Sequence, residues 1–169
     1  MSSIKYFVQF LIIFFLFIIF KILGLKLASN FSSWFLKIFG PFFRSKKIIN
    51  DNILKAFPAI DSENLKKISM NMWGNYGRIL SEYVFLKNFR ESKFEDRLEI
   101  VGQNILDEIK KEGKPVIFIS GHFNNFELMA MHIEKSGVDL AVIYRPLNNK
   151  FLNSIMEKIR KKYICKNQI

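Results

Sequence analysis

The sequence predicts an α/β protein carried behind an amino-terminal membrane helix. An apolar run at residues 6–20, a helical lead-in, and two short apolar segments of strand character flanking a helix after Pro115 carry that reading. Strand, turn, helix and strand fall within about 30 residues, the span of a βαβ unit, whose crossover is right-handed in nearly all proteins.

The membrane helix comes first. Tyr6 to Phe20 reads YFVQFLIIFFLFIIF, interrupted only by Gln9, and Ile4, Ile22, Leu23 and Leu25 extend it. At ~1.5 Å per residue, about 20 residues cover the ~30 Å hydrocarbon core, so a spanning or deeply embedded helix is expected over residues 1–28. Lys5 and Lys21 can snorkel at its ends. A cleaved signal peptide shares the charged start and apolar run, but its cleavage box is poor, since Lys26-Leu27-Ala28 puts a charge where a small residue is wanted. Lys21, Lys26, Lys37, Arg44, Lys46 and Lys47 follow the run and only Lys5 and the terminal amine precede it, which directs the remainder to the cytoplasmic face.

Residues 29–47 form a second segment, in which Phe31, Trp34, Phe35, Ile38 and Phe39 recur at helical spacing until Gly40-Pro41. Aromatics flanked by lysines suit a helix lying at the headgroups, and an ordinary core helix fits the same spacing. The third segment, residues 48–169, opens with a helix stopped by Pro58. Asp61 or Ser62 caps the next helix, whose face carries Leu65, Ile68, Met72, Tyr76, Ile79, Leu80 and Tyr83. A polar stretch from Arg90 to Arg97, a short strand LEIVG and a helix from Asn104 ending at Gly113 follow.

Composition narrows the function. Half the residues are hydrophobic and 19 are Phe, so the chain must bury or insert apolar surface. The net charge of +11 suits an anionic surface, but only 6 of the 26 basic residues are Arg, and this argues against nucleic acid, where bidentate phosphate contacts favour Arg. Cys165 has no partner for a disulfide, and His122 and His132 stand ten residues apart, so neither a structural zinc site nor a metallohydrolase is expected.

The chemistry-bearing stretch begins at Pro115. PVIFIS is expected as a strand buried on both faces, GHFNNFE as a turn, LMAMHIEKSG as a helix ending at Gly137, and VDLAVIY as a second buried strand. Ligands of such sheets bind beyond the carboxyl ends of the strands, where His122 and Arg145 fall. A neutral imidazole there can take a proton from a hydroxyl, and Glu127, in the first turn of the next helix, can fix its tautomer. By itself, a His followed five positions later by an acid is a common chance pattern, and a packed structural histidine is the commoner outcome. Its setting favours chemistry: Gly121 allows a tight exit from the strand, Asn124 and Asn125 suit unusual turn conformations, and a helix start offers backbone N–H groups to an oxyanion.

These residues resemble a family. Gly121-His122-Phe123-Asn124-Asn125-Phe126-Glu127 between a strand and an apolar helix is similar to the His-x4-acid block of the bacterial lipid A biosynthesis lauroyl/myristoyl acyltransferases, which usually reads His-Phe-Gly-Asn-Trp-Glu. Tyr144-Arg145-Pro146-Leu147-Asn148-Asn149 resembles their Tyr-Arg-Pro block, and the stretch from Asn52 to Pro58, with Gly77, Arg78 and Glu82, resembles their upstream helices. Asn124 stands for the usual Gly and Phe126 for the usual Trp.

The resemblance implies a glycerolipid acyltransferase-like α/β sheet of which residues 48–169 are the amino-terminal part, in a domain that continues further. It implies transfer of a fatty acyl chain from acyl carrier protein to a hydroxyl of a lipid A precursor at the bacterial inner membrane, with inner-membrane lipid as a further partner and without metal or cofactor. His122 is then the general base and Glu127 its orienting acid, while Asn124, Asn125 and Arg145 are candidate substrate-binding residues. A structural salt bridge is the alternative for Arg145. Two other functions stay open: a truncated, non-catalytic relative that binds anionic lipid, and an acyltransferase acting on another glycolipid or glycerolipid.

Overall fold

The computed structural model describes residues 2–169. Seven helices and one pair of short strands are formed among them, in two compact units. One unit is Phe17–Val84, and the other joins the residues up to Leu16 to Phe85–Ile169.

Helix α1 runs from Ser2 to Phe39 and is long and apolar enough to cross a membrane. Its helical geometry breaks at Gly24 (φ 75°, ψ 164°), a left-handed conformation that glycine tolerates without a Cβ penalty. A 3-10 turn, Gly40–Phe42, ends it at the expected Gly-Pro. Helix α2, Lys46–Ala56, stops before Pro58, with Phe57 (φ −134°, ψ 76°) outside the helical region that the residue preceding a proline avoids. Helix α3, Ser62–Glu82, starts at Asp61, whose carboxylate accepts from the Asn64 backbone N–H at 2.8 Å and from its side chain at 2.7 Å. These bonds to the ionised form hold the Asp61 carboxyl below its ordinary range.

Small residues let α3 approach the second half of α1 within the Phe17–Val84 unit. A Cβ on Gly77 would stand 2.2 Å from the Ser32 carbonyl oxygen, and one on Gly40 would stand 2.3 Å from the Trp73 ring. Ser32, Ser33, Trp73, Gly74, Gly77 and Ser81 are all buried at this crossing.

In the other unit, α4 (Leu86–Arg90) packs against α6 (Glu127–Lys135) and α7 (Lys150–Tyr163). Leu86, Phe89, Met131, Ile133, Ile164 and Cys165 form the buried core. Helix α5, Gln103–Glu112, is closed by left-handed Gly113, as its sequence foretold.

The strand expectations need correction. LEIVG and PVIFIS form no strands, and Ile117 and Ile119 of the latter are 91% and 93% exposed rather than buried on both faces. VDLAVIY narrows to β1, Ala141–Val142, which pairs in parallel with β2, Asn167–Gln168, by way of α7. The expected βαβ unit across α6 is therefore not formed. The physical reason is that a strand exists only when a neighbour supplies its hydrogen bonds, whereas an apolar run reports only readiness to pair. Among the described residues, only the carboxyl-terminal segment pairs with β1, and the backbone bonds Tyr144 N to Ile169 O (2.8 Å) and Ile169 N to Val142 O (3.0 Å) extend it.

Candidate functional site

Chain reversal at Asn124 brings the His122 loop to the start of α6. Asn124 has φ 46°, the left-handed region an asparagine tolerates better than most residues, so its expected turn role is observed. Around it, Phe123 N donates to Gly121 O at 2.9 Å and Phe126 N to Asn124 O at 3.1 Å. A Cβ on Gly121 would lie 2.5 Å from the Phe123 ring, so glycine fits this exit. His122 is exposed, and its ring meets Phe126 edge-on at 4.3 Å.

Glu127, in the first turn of α6, is 5% exposed. Its Oε1 accepts from Arg160 Nε at 2.7 Å and from Arg160 Nη2 at 2.5 Å. Burial makes this pair matter, because a carboxylate withdrawn from water needs charged donors close at hand. No hydrogen bond between His122 and Glu127 occurs among the described bonds. The structure thus brings Glu127 to Arg160, while the imidazole stays on the exposed loop.

Arg160 joins the site to the Tyr-Arg-Pro block. Its guanidinium lies 4.4 Å from the centre of the Tyr144 ring, a cation–π contact that helps hold the planar group in place. The Tyr144 hydroxyl donates to Asn153 Oδ1, which also accepts from Leu147 N at 2.8 Å, tying the loop after β1 to α7. Asn149 caps α7, accepting from Phe151 N at 3.1 Å and Leu152 N at 3.3 Å. Arg145 and Asn124 are exposed and Asn125 is half-buried. Arg145 takes part in none of the described ion pairs, so the salt-bridge alternative for it finds no partner there. His132 is packed between Gln103 Oε1, at 2.7 Å, and Ser136.

Sequence reasoning missed Arg160, Tyr144 and Asn153 as one cluster, together with the helix that carries two of them. A signal was present in the basic composition. The two more buried ion pairs, Arg160 with Glu127 and Arg90 with Glu134, use Arg, whereas the exposed pairs of Lys87, Lys93, Lys114 and Lys161 use Lys. In a lysine-rich chain an Arg marks a place where fork geometry and weaker hydration are wanted.

A helix long and apolar enough to cross a membrane precedes a unit in which a buried acid at a helix start is held by an Arg and a His stands exposed on the preceding loop. The family model for bacterial lipid A biosynthesis acyltransferases matches residues 1–166, nearly the whole chain, and the chain belongs to that family. No match was found among curated proteins or among solved structures.

Proposed function

We propose that the chain serves transfer of a fatty acyl group from an acyl carrier protein thioester to a hydroxyl of a lipid A precursor at the cytoplasmic face of the inner membrane. The observation that carries this reading is the family match over residues 1–166, which includes the His122 and Glu127 block. In the proposed reaction the imidazole of His122 takes the proton of the acceptor hydroxyl while its oxygen attacks the thioester carbonyl. The C–S bond breaks, and the leaving thiolate recovers the proton from the imidazolium. Arg160 holds the Glu127 carboxylate at the start of α6, and closure of the exposed His122 loop onto that carboxylate is the movement the reaction requires. In this reading Arg145, exposed after β1, meets an anionic group of either substrate, and Asn124 and Asn125 are the further substrate-binding residues at the turn.

Membranes containing the protein are expected to transfer labelled acyl groups from acyl carrier protein to a lipid A precursor, and His122→Ala to abolish this. Because His122 is exposed, the variant should fold normally. Undiminished turnover in His122→Ala would remove the imidazole from the mechanism.

Engagement of Glu127 by Arg160 favours a second reading, a non-catalytic relative that binds anionic lipid through its net charge of +11. That protein would transfer no acyl group and would bind anionic liposomes less tightly as salt is raised. Offering glycerolipid and other glycolipid acceptors in the same transfer assay distinguishes the remaining acceptor classes.

A further inference from the structure

We infer that the outward side of α1 after Gly24, together with the turn that follows it, lies in the headgroup region of an anionic membrane surface. This segment belongs wholly to the Phe17–Val84 unit and has two opposite sides. Ala28, Ser32 and Ser33 are buried on one, followed by buried Gly40, and α3 meets that side at Trp73, Gly74 and Gly77. Leu27, Phe31, Trp34 and Ile38 are exposed on the other. At about 100° per residue these four fall in a stripe about 60° wide, nearly opposite the buried set. Packing on α3 accounts for the first side and leaves the aromatic one to be covered by something else.

The amount of apolar surface is large. Trp34 is 57% exposed, and the 3-10 turn after α1 carries Phe42 and Phe43 out to 83% and 75% exposure. Contiguous aromatic surface of this kind marks a contact site. Charge decides what makes the contact. From Phe17 to Lys47 the chain carries Lys21, Lys26, Lys37, Arg44, Lys46 and Lys47 and no Asp or Glu. A second copy would bring the same positive field against itself, whereas anionic headgroups neutralise it. Arg44, Lys46 and Lys47 are exposed directly after Phe42 and Phe43, the juxtaposition of basic and aromatic groups by which a segment holds to the boundary between headgroups and acyl chains. Trp34 suits that boundary too, since an indole offers an apolar ring to the chains and an N–H to the wet side.

Gly24 separates this segment from the apolar run before it. Its φ of 75° and ψ of 164° lie in a region that only glycine occupies readily, and α1 kinks there. The residues from Ile4 to Leu23 already supply the about 20 that a hydrocarbon core takes. A straight continuation to Phe39 would add about 22 Å of helix and draw Lys26 and Lys37 along the same line. With the kink, the run before Gly24 is free to span while the part after it follows the surface. Lys26 and Lys37 fall together about a quarter turn from the aromatic stripe, where their stems lie along the apolar side and their ammonium groups reach water.

This surface is independent of acyl transfer, and its test reads depth rather than turnover. The full chain is reconstituted into vesicles of phosphatidylglycerol and phosphatidylcholine, with the phosphatidylcholine brominated either near the headgroup end or near the methyl end of its acyl chains. Trp34 and Trp73 are the two tryptophans, so subtracting the emission of Trp34→Phe, a change at an exposed position, isolates Trp34. Its emission is expected to be quenched mainly by the shallow bromine. Quenching mainly by the deep bromine puts the segment in the hydrocarbon core and overturns the proposal. A Trp34 that neither bromine reaches overturns it as well, whether the ring faces water, a second copy or another protein. The triple variant Arg44→Glu/Lys46→Glu/Lys47→Glu, at exposed positions, is expected to lose about half of the shallow quenching. The unsubstituted protein in vesicles without phosphatidylglycerol should show the same fall, which frees the charge argument from the folding of the variant. Shallow quenching indifferent to both changes overturns the anionic surface as the partner.

Discussion

Replacing Gly77 by Ala tests whether the crossing of α1 and α3 is set by backbone contact. The added Cβ would stand 2.2 Å from the Ser32 carbonyl oxygen, 2.6 Å from its carbonyl carbon and 2.8 Å from Ser33 N. All three are backbone atoms of a helix, so no side chain can swing aside and the helices must separate by about 1 Å to restore van der Waals spacing. Overpacking of this kind costs roughly 1–3 kcal/mol, toward the upper end where backbone must move, and the better helix propensity of Ala returns about 1 kcal/mol. The expected net loss is therefore about 1–2 kcal/mol, or roughly 2–8 °C in Tm for a chain of this size. Gly74→Ala is the matched control. Its Cβ would meet Lys37 Cε at 2.6 Å and Ser33 Oγ at 2.9 Å, both on side chains that can rotate away, so propensity should leave it neutral or slightly stabilised. Thermal unfolding followed by helical circular dichroism in detergent micelles measures both variants. A Gly77→Ala protein as stable as Gly74→Ala would refute the claim that backbone contact fixes this crossing.

Other outcomes follow from the carboxyl-terminal unit and the helix caps. Arg160→Ala removes two charged donors from the buried Glu127 carboxylate and should destabilise by about 3–5 kcal/mol, read by urea unfolding. The double change Arg160→Met with Glu127→Gln should recover much of that stability without restoring acyl transfer. Burial raises the Cys165 thiol above its ordinary 9.0, so it should resist maleimide at neutral pH until the protein is denatured. Since the folded value is the higher one, the thiol's contribution to stability is complete below the unfolded value and is lost as pH rises through the folded value. Asp61→Ala should destabilise α3 at neutral pH, because the cap on the Asn64 backbone N–H is lost. The lowered carboxyl of Asp61 reverses the sign of its pH dependence: its stabilisation is present above the unfolded value and lost as pH falls through the folded one, so the Ala variant should show a smaller loss of stability in acid.

Local signals decided much of this protein before any contact was known. The apolar run, Gly40-Pro41, Pro58, the Asp61 cap, Gly113 and the left-handed Asn124 each act through a backbone preference or a bond within a few residues, so each was legible in the sequence. The His122 and Glu127 block was equally legible, and so was the family to which it belongs. What the side chains of that block touch was not. Glu127 meets Arg160 across 33 residues of sequence, and Asn149 meets Tyr6 across 143, separations at which no periodicity carries information. Strand formation belongs with these long-range decisions. PVIFIS has every local mark of a strand and forms none, whereas Asn167–Gln168, with no such mark, pairs with β1. A helix closes its hydrogen bonds within itself, so sequence can announce it, but a strand or a buried ion pair depends on which distant partner arrives, and only the tertiary structure supplies that.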